Sequence, residues 1–137
     1  MSKITDKFLK FFPASFQQKV RNKYYEVKIS NATETDERDL MIVSKIINNG
    51  NVAVDIGANF GLYTKHLSQY TGSNGKVYAF EPINKTYKSL KHNIEALNMT
   101  NVVSYNCALS DKEGQAEMII PEYQEGGENL ETKRLFC

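Results

Sequence analysis

The 137 residues predict a doubly wound α/β fold with a mostly parallel sheet. Three observations lead there. Val52-Ala53-Val54-Asp55-Ile56 is a short apolar run that ends beside an acid and enters Gly57-Ala58-Asn59-Phe60-Gly61. Lys76-Val77-Tyr78-Ala79-Phe80 is a second run, ending in Glu81-Pro82. Between and after these runs, apolar residues recur at helical spacing. Near-continuous apolar strands alternating with amphipathic helices are the pattern of βαβ units.

The elements follow in chain order. Residues 5–24 carry Phe8, Leu9, Phe11, Phe12, Phe16 and Val20 as an apolar stripe, flanked by Lys7, Lys10, Lys19 and Arg21. They are read as one or two amphipathic helices, interrupted at Pro13 because proline removes a backbone donor. Aromatic and basic residues together also suit a membrane surface. The favoured reading is a helical lead-in, residues 1–34, packed on the domain that occupies 35–137. A short strand is expected over 24–29 and a turn over 30–35.

A helix is expected over 36–47. Thr35 serves as its N-cap, and Asp36, Glu37 and Asp39 sit at the positive end of the helix dipole. Leu40, Ile42, Val43, Ile46 and Ile47 make its buried face, and Asn48-Asn49-Gly50 ends it. The strand over 52–56 is expected to be central and buried on both faces.

Helix 61–70 places Leu62, Tyr63, His66, Leu67 and Tyr70 at helical spacing. Thr71-Gly72-Ser73-Asn74-Gly75 is a turn cluster before the strand over 76–80. Helix 84–97 turns Tyr87, Leu90, Ile94 and Leu97 inward, with Lys85, Lys88, Lys91 and His92 outside that face. A third strand is expected over 102–109. Asp111-Lys112-Glu113-Gly114 then turns into a fourth over 115–120, a departure from strict alternation. The polar tail 123–137 is expected to have little order.

Composition narrows the function. A chain with 41% hydrophobic residues suits one small domain with a real core, and a net charge of +1 gives no global argument for a nucleic-acid partner. The charge is uneven: residues 1–30 hold seven Lys/Arg against Asp6 and Glu26, while 31–40 hold four acids against Arg38. No apolar run approaches the ~18 residues that span a bilayer, and the N-terminus lacks the apolar stretch of a signal peptide. Sequons at Asn31, Asn84 and Asn98 are therefore read as chance matches. Cys107 and Cys137 do not make a disulfide framework, so a reducing cytoplasm is the expected compartment. Two Cys and two His are scattered, without metal-ligand spacing.

The glycine loop carries the chemistry. A dinucleotide site uses G-x-G-x-x-G so that the backbone can approach a pyrophosphate. Here Asn59 stands where the second glycine would be, which disfavours a nicotinamide-dependent oxidoreductase. S-adenosylmethionine has no phosphate. It needs a carboxylate for its ammonium, backbone N–H groups for its own carboxylate, and an acid for its ribose diol. Asp55 suits the amino-acid end, Gly57 and Gly61 let the chain turn and bring N–H groups toward the ligand, and Glu81 is placed for the ribose hydroxyls. Each acid alone also reads as ordinary turn or cap chemistry; together, in order and with a helix between them, they read as a cofactor site.

At these residues the sequence resembles a known family. Val54-Asp55-Ile56-Gly57-Ala58-Asn59-Phe60-Gly61-Leu62-Tyr63-Thr64, Ala79-Phe80-Glu81-Pro82 and Asn106-Cys107-Ala108-Leu109-Ser110-Asp111 look like successive signatures of FkbM-type methyltransferases, with Gly126-Gly127-Glu128-Asn129-Leu130 a weaker echo. The likeness spans about residues 35–130. It implies a Rossmann-like class I methyltransferase fold, S-adenosylmethionine as donor, and O-methylation of a hydroxyl on a sugar or natural product. It implies that Asp55, Gly57, Asn59 and Gly61 line the methionine end, Glu81 the ribose, and Cys107 and Ala108 the adenine.

Family members continue with a Lys-x-Asp-x-Glu-Gly type motif and further strands, which this sequence lacks. Only 88 residues follow from Gly50 onward, so the front half of such a domain is expected, with the far side of the first strand open. An open edge invites self-association or a partner strand. Methyl transfer is an in-line displacement, assisted for a hydroxyl acceptor by a general base. No residue is assigned that role: His66 and His92 are read as helix-face residues, and Tyr63 as core. A nucleoside-binding remnant without turnover is the alternative function.

Overall fold

The computed structural model describes residues 9, 11–112, 114–120 and 129–134. Phe8 with Lys7 and Lys10 of the amphipathic stripe, Glu113 of the turn, the Gly126-Gly127-Glu128 echo and Cys137 lie outside the described residues.

Pro13 ends one segment and starts the next. Its carbonyl accepts from the amides of Phe16 and Gln17, opening helix α1 over Ala14–Ser30. The strand expected over 24–29 is instead the last part of this helix. No glycine or proline interrupts 14–30, and Tyr25 and Ile29, four residues apart, fall on one helical face. Packing that face inward overrides the β preference of Tyr, Val and Ile. Helix α1 lies along a later helix, α4 (Asn84–Ala96), through polar contacts: Gln18 Nε2 and the Ser89 hydroxyl at 2.9 Å, Ser89 and Asn22 Oδ1 at 2.8 Å, and His92 Nε2 with Glu26 Oε2 at 2.9 Å.

A 3-10 turn over Glu34–Asp36 follows, closed by Thr33 rather than Thr35, because Asp36 reaches back to accept from the Thr33 amide at 2.6 Å. Helix α2 is correspondingly shorter than expected, Arg38–Ile46. Leu40 is fully buried, and Val43 and Ile47 pack on the core, but Ile42 and Ile46 face solvent.

The core is a βαβαβ unit: β1 (Val52–Ile56), α3 (Leu62–Thr71), β2 (Lys76–Phe80), α4, and β3 (Val102–Tyr105). The sheet order is β1-β2-β3, all parallel, with Asp55 opposite Ala79 and Phe80 opposite Tyr105. One face is covered. Ala53 and Val77 pack with Leu67 of α3, and Ala79 packs with Leu90 of α4. Two crossovers of the same hand place both helices on that face.

The other face is bare, which corrects the expectation of a first strand buried on both sides. Val52, Val54 and Ile56 are 67%, 53% and 68% exposed, and Tyr105 on the same face is 39% exposed. Alternation along the strand is the reason: 52, 54 and 56 point away from α3 and α4. Among the described residues, β1 also pairs on one side only.

Strand β3 stops at Tyr105, four residues before the expected end. The Glu81 amide gives the last ladder bond, to the Tyr105 carbonyl, and Pro82 has no N–H to continue. Asn106 turns the chain there, donating to the carbonyls of Glu81 and Pro82. The expected strand over 115–120 is present as β4 (Gln115–Ile120), but it pairs antiparallel with β5 (Asn129–Arg134) in a separate two-stranded sheet. The tail is thus partly a strand. Its polar composition hid a pairing that depends on a distant partner.

Candidate functional site

The end of β1 and the loop after it are held by a dense set of backbone bonds. The amides of Gly57 and Ala58 both donate to the Phe80 carbonyl at 2.9 Å, fastening the loop to β2. The Gly61 amide donates to Ala58 at 2.8 Å. Gly61 has φ +96, and a Cβ there would meet Leu90 Cδ1 at 2.9 Å, so a side chain would be strained in backbone and would have to displace the tip of Leu90. Asn93, fully buried on α4, donates to the Phe60 carbonyl at 2.8 Å.

Asp55 leaves β1 half-buried, with Oδ2 accepting from the Thr64 hydroxyl at 2.5 Å. Burial raises its pKa above the ordinary 3.8, and the Thr64 hydrogen bond pulls the other way. Asp55 lines a cavity of about 690 Å³ with Gly57, Ala58, Asn59 and Phe60. A carboxylate whose charge is penalised by burial, at the wall of a cavity, is suited to an ammonium ligand, which would restore the charged form.

Glu81 is placed differently from the sequence expectation. It is 4% exposed and does not line this cavity. Its Oε2 accepts from the Asn59 amide at 2.9 Å and its Oε1 from the Ile83 amide at 2.8 Å. Here Glu81 is a brace between the glycine loop and the turn after β2. The two acids therefore do not share one cavity, and the amides of Gly57, Asn59 and Gly61 are engaged within the protein. Each Glu81 oxygen accepts one amide bond and keeps a second lone pair, so these braces and a contact to a ribose hydroxyl are chemically compatible.

Of the remaining sequence candidates, Gly57 and Asn59 line the cavity, while Gly61 sits behind it at the start of α3. Cys107 and Ala108 follow the end of β3, apart from the cavity. Cys107 is buried and is not a free thiol, so it lends no support to a reducing compartment. His66 is 3% exposed, off the cavity, with its pKa lowered by burial. His92 pairs with Glu26 on α1. Neither histidine is placed as a base.

Sequence reasoning missed several contributors. Tyr25 and Ile29 of α1, together with Asp36 and Glu37, also line the cavity. No local pattern in 24–37 marks them, since the contacts span about thirty residues of chain. Asn93 was findable: a polar residue inside the apolar stripe of a helix signals a buried hydrogen bond.

With the geometry in hand, the relatives can be named. Residues 55–134 match the family model for the methyltransferase FkbM domain. The chain belongs to that family. No curated protein matches it. Solved structures similar to it include a SAM-dependent methyltransferase from Aquifex aeolicus (26% identity, TM-score 0.41, covering 51% of this chain and 35% of that one). Others are a protein described as an rRNA methylase from Clostridium thermocellum (22%, 0.47, 49% and 37%) and one described as an O-methyltransferase from Klebsiella pneumoniae (11%, 0.47, 76% and 49%). The chain spans 35–49% of the length of these structures. Among the described residues, no helix is long and apolar enough to cross a membrane, and no His/Cys/Asp/Glu group is arranged to hold a metal ion.

Proposed function

We propose that this chain is the S-adenosylmethionine-binding portion of a methyltransferase that acts on a hydroxyl of a sugar or other small molecule. The observation that carries the reading is Asp55, a half-buried carboxylate facing a cavity at the carboxyl end of a parallel strand, inside the segment matched by the family. The crevice beyond strand ends is where open α/β sheets take nucleoside ligands. The residues fit the amino-acid half of the cofactor best: Asp55 for the ammonium, and a loop braced by Glu81 and Asn93. When bound, the cofactor supplies an activated methyl group, and the protein's part is alignment and exclusion of water.

The test is calorimetric titration with S-adenosylhomocysteine and, separately, NAD, followed by mass spectrometry of hydroxyl acceptors incubated with S-adenosylmethionine. Binding of the first ligand with methyl gain on an acceptor supports the reading in full. Binding without turnover reduces it to a nucleoside-binding module. Preference for NAD overturns it. Asp55→Ala is expected to abolish binding. Glu81→Ala is expected to do so as well, through the loss of two loop braces.

A further inference from the structure

Helix α1 and the turn after it precede the segment matched by the family, yet they form one wall of the cavity. The Tyr25 ring lies parallel to Phe60 of the glycine loop, with centroids 3.4 Å apart and planes at 10°. Ile29, one helical turn on, is 3% exposed and lines the same wall. The end of the helix is fastened to the loop's own helix. Lys65 of α3 donates to the carbonyls of Ile29, Ser30 and Ala32 at 3.0, 3.1 and 2.7 Å. Carbonyls at a helix C-terminus have no partner within the helix and carry its negative pole, so a cation there fixes both position and direction.

The wall covers one end of the site. The cavity includes Asp55, Gly57, Asn59 and Phe60 but excludes Glu81, Cys107 and Ala108. If Asp55 takes the ammonium, the walled end is the amino-acid end.

We infer that α1 closes the amino-acid half of the cofactor site, with Tyr25, stacked on Phe60, as a binding residue and Lys65 as the positioning residue that holds the wall in place. This rests on the cofactor reading above and adds to it Tyr25, outside the family segment, and Lys65, inside it. Without the wall, the ligand's ammonium and carboxylate would be left in water at the loop's outer surface, where charge interactions are weak. With it, Asp55 meets the ammonium in a confined, partly apolar space.

The experiment compares two ligands on the full chain: S-adenosylhomocysteine and 5′-methylthioadenosine, which keeps the nucleoside thioether but lacks the amino-acid end. Tyr25→Ala should weaken S-adenosylhomocysteine about tenfold while leaving methylthioadenosine within about twofold. Tyr25→Phe keeps the stacked ring and should restore the wild-type ratio. Lys65→Met should lower the same ratio in the same direction, since it frees the wall without touching the ligand. If Tyr25→Ala melts below the assay temperature, Tyr25→Leu keeps bulk and removes the ring in its place.

Equal loss for both ligands would make α1 a structural prop and overturn the inference. So would unchanged binding of S-adenosylhomocysteine. Wild-type protein that binds methylthioadenosine but gains nothing from the amino-acid end overturns the inference and leaves a nucleoside site standing. Wild-type protein that binds neither overturns the cofactor reading and the inference together.

Discussion

Gly61→Ala tests whether the glycine loop is shaped by the helix behind it. Two costs add at this position. An alanine held at φ +96 is in left-handed backbone territory, worth about 1–2 kcal/mol. Its Cβ would also lie 2.9 Å from Leu90 Cδ1, so the tip of that fully buried side chain must shift to admit it. Overpacking of that kind costs about 1–3 kcal/mol. The sum is about 2–5 kcal/mol, a large share of a small domain's stability.

Gly57→Ala is the internal control. It has φ +78 but open space around the added carbon, so only the backbone cost of about 1–2 kcal/mol applies. Urea unfolding followed by far-UV circular dichroism measures both, at matched slopes. A double-mutant cycle with Leu90→Ala isolates the clash, because Gly61→Ala should then cost only the backbone amount. The reasoning fails if Gly61→Ala is no worse than Gly57→Ala, or if the cycle shows no coupling.

Two further outcomes are expected. Asp55→Asn should lose ligand binding yet be more stable than wild type near neutral pH: an acid whose folded pKa is raised costs stability when ionised, and that cost disappears as pH falls through the raised value and is gone below 3.8. Thermal melts across pH should therefore converge on the acid side, and a variant that is less stable at neutral pH contradicts the assignment of burial as the cause. We also propose that this chain self-associates, or takes a partner strand, at the open edge of β1, whose outward side chains Val54 and Ile56 would be covered with it. Val54→Lys with Ile56→Lys, at positions 53% and 68% exposed, should reduce concentration-dependent association in sedimentation velocity without lowering the melting temperature. A wild-type chain that stays monomeric as its concentration rises speaks against that expectation.

Much of the framework could be read directly from residue order. Val52-Ala53-Val54-Asp55-Ile56 and Lys76-Val77-Tyr78-Ala79-Phe80 carry their strand character locally, and the helix after each carries its own in apolar spacing, Tyr63 with Leu67 and Leu90 with Ile94. Periodicity is a property of neighbours along the chain, so it survives without tertiary knowledge. The strand assigned to 24–29 failed because Tyr24, Tyr25, Val27 and Ile29, four β-favouring side chains among six residues, are too few to outweigh a long uninterrupted helix that buries Ile29.

What residue order determined by itself is the βαβαβ succession, the glycine loop after the first strand, and the acids at positions 55 and 81. Only the tertiary structure decided where those acids point: Asp55 into a cavity, Glu81 onto the amides of Asn59 and Ile83. It alone brought Tyr25 onto Phe60 and Lys65 onto the end of α1, and left one sheet face uncovered. The reason is physical. Backbone preference and hydrophobic spacing act over a few residues, whereas the direction of a buried carboxylate is set by whichever donors the folded chain brings within hydrogen-bond reach.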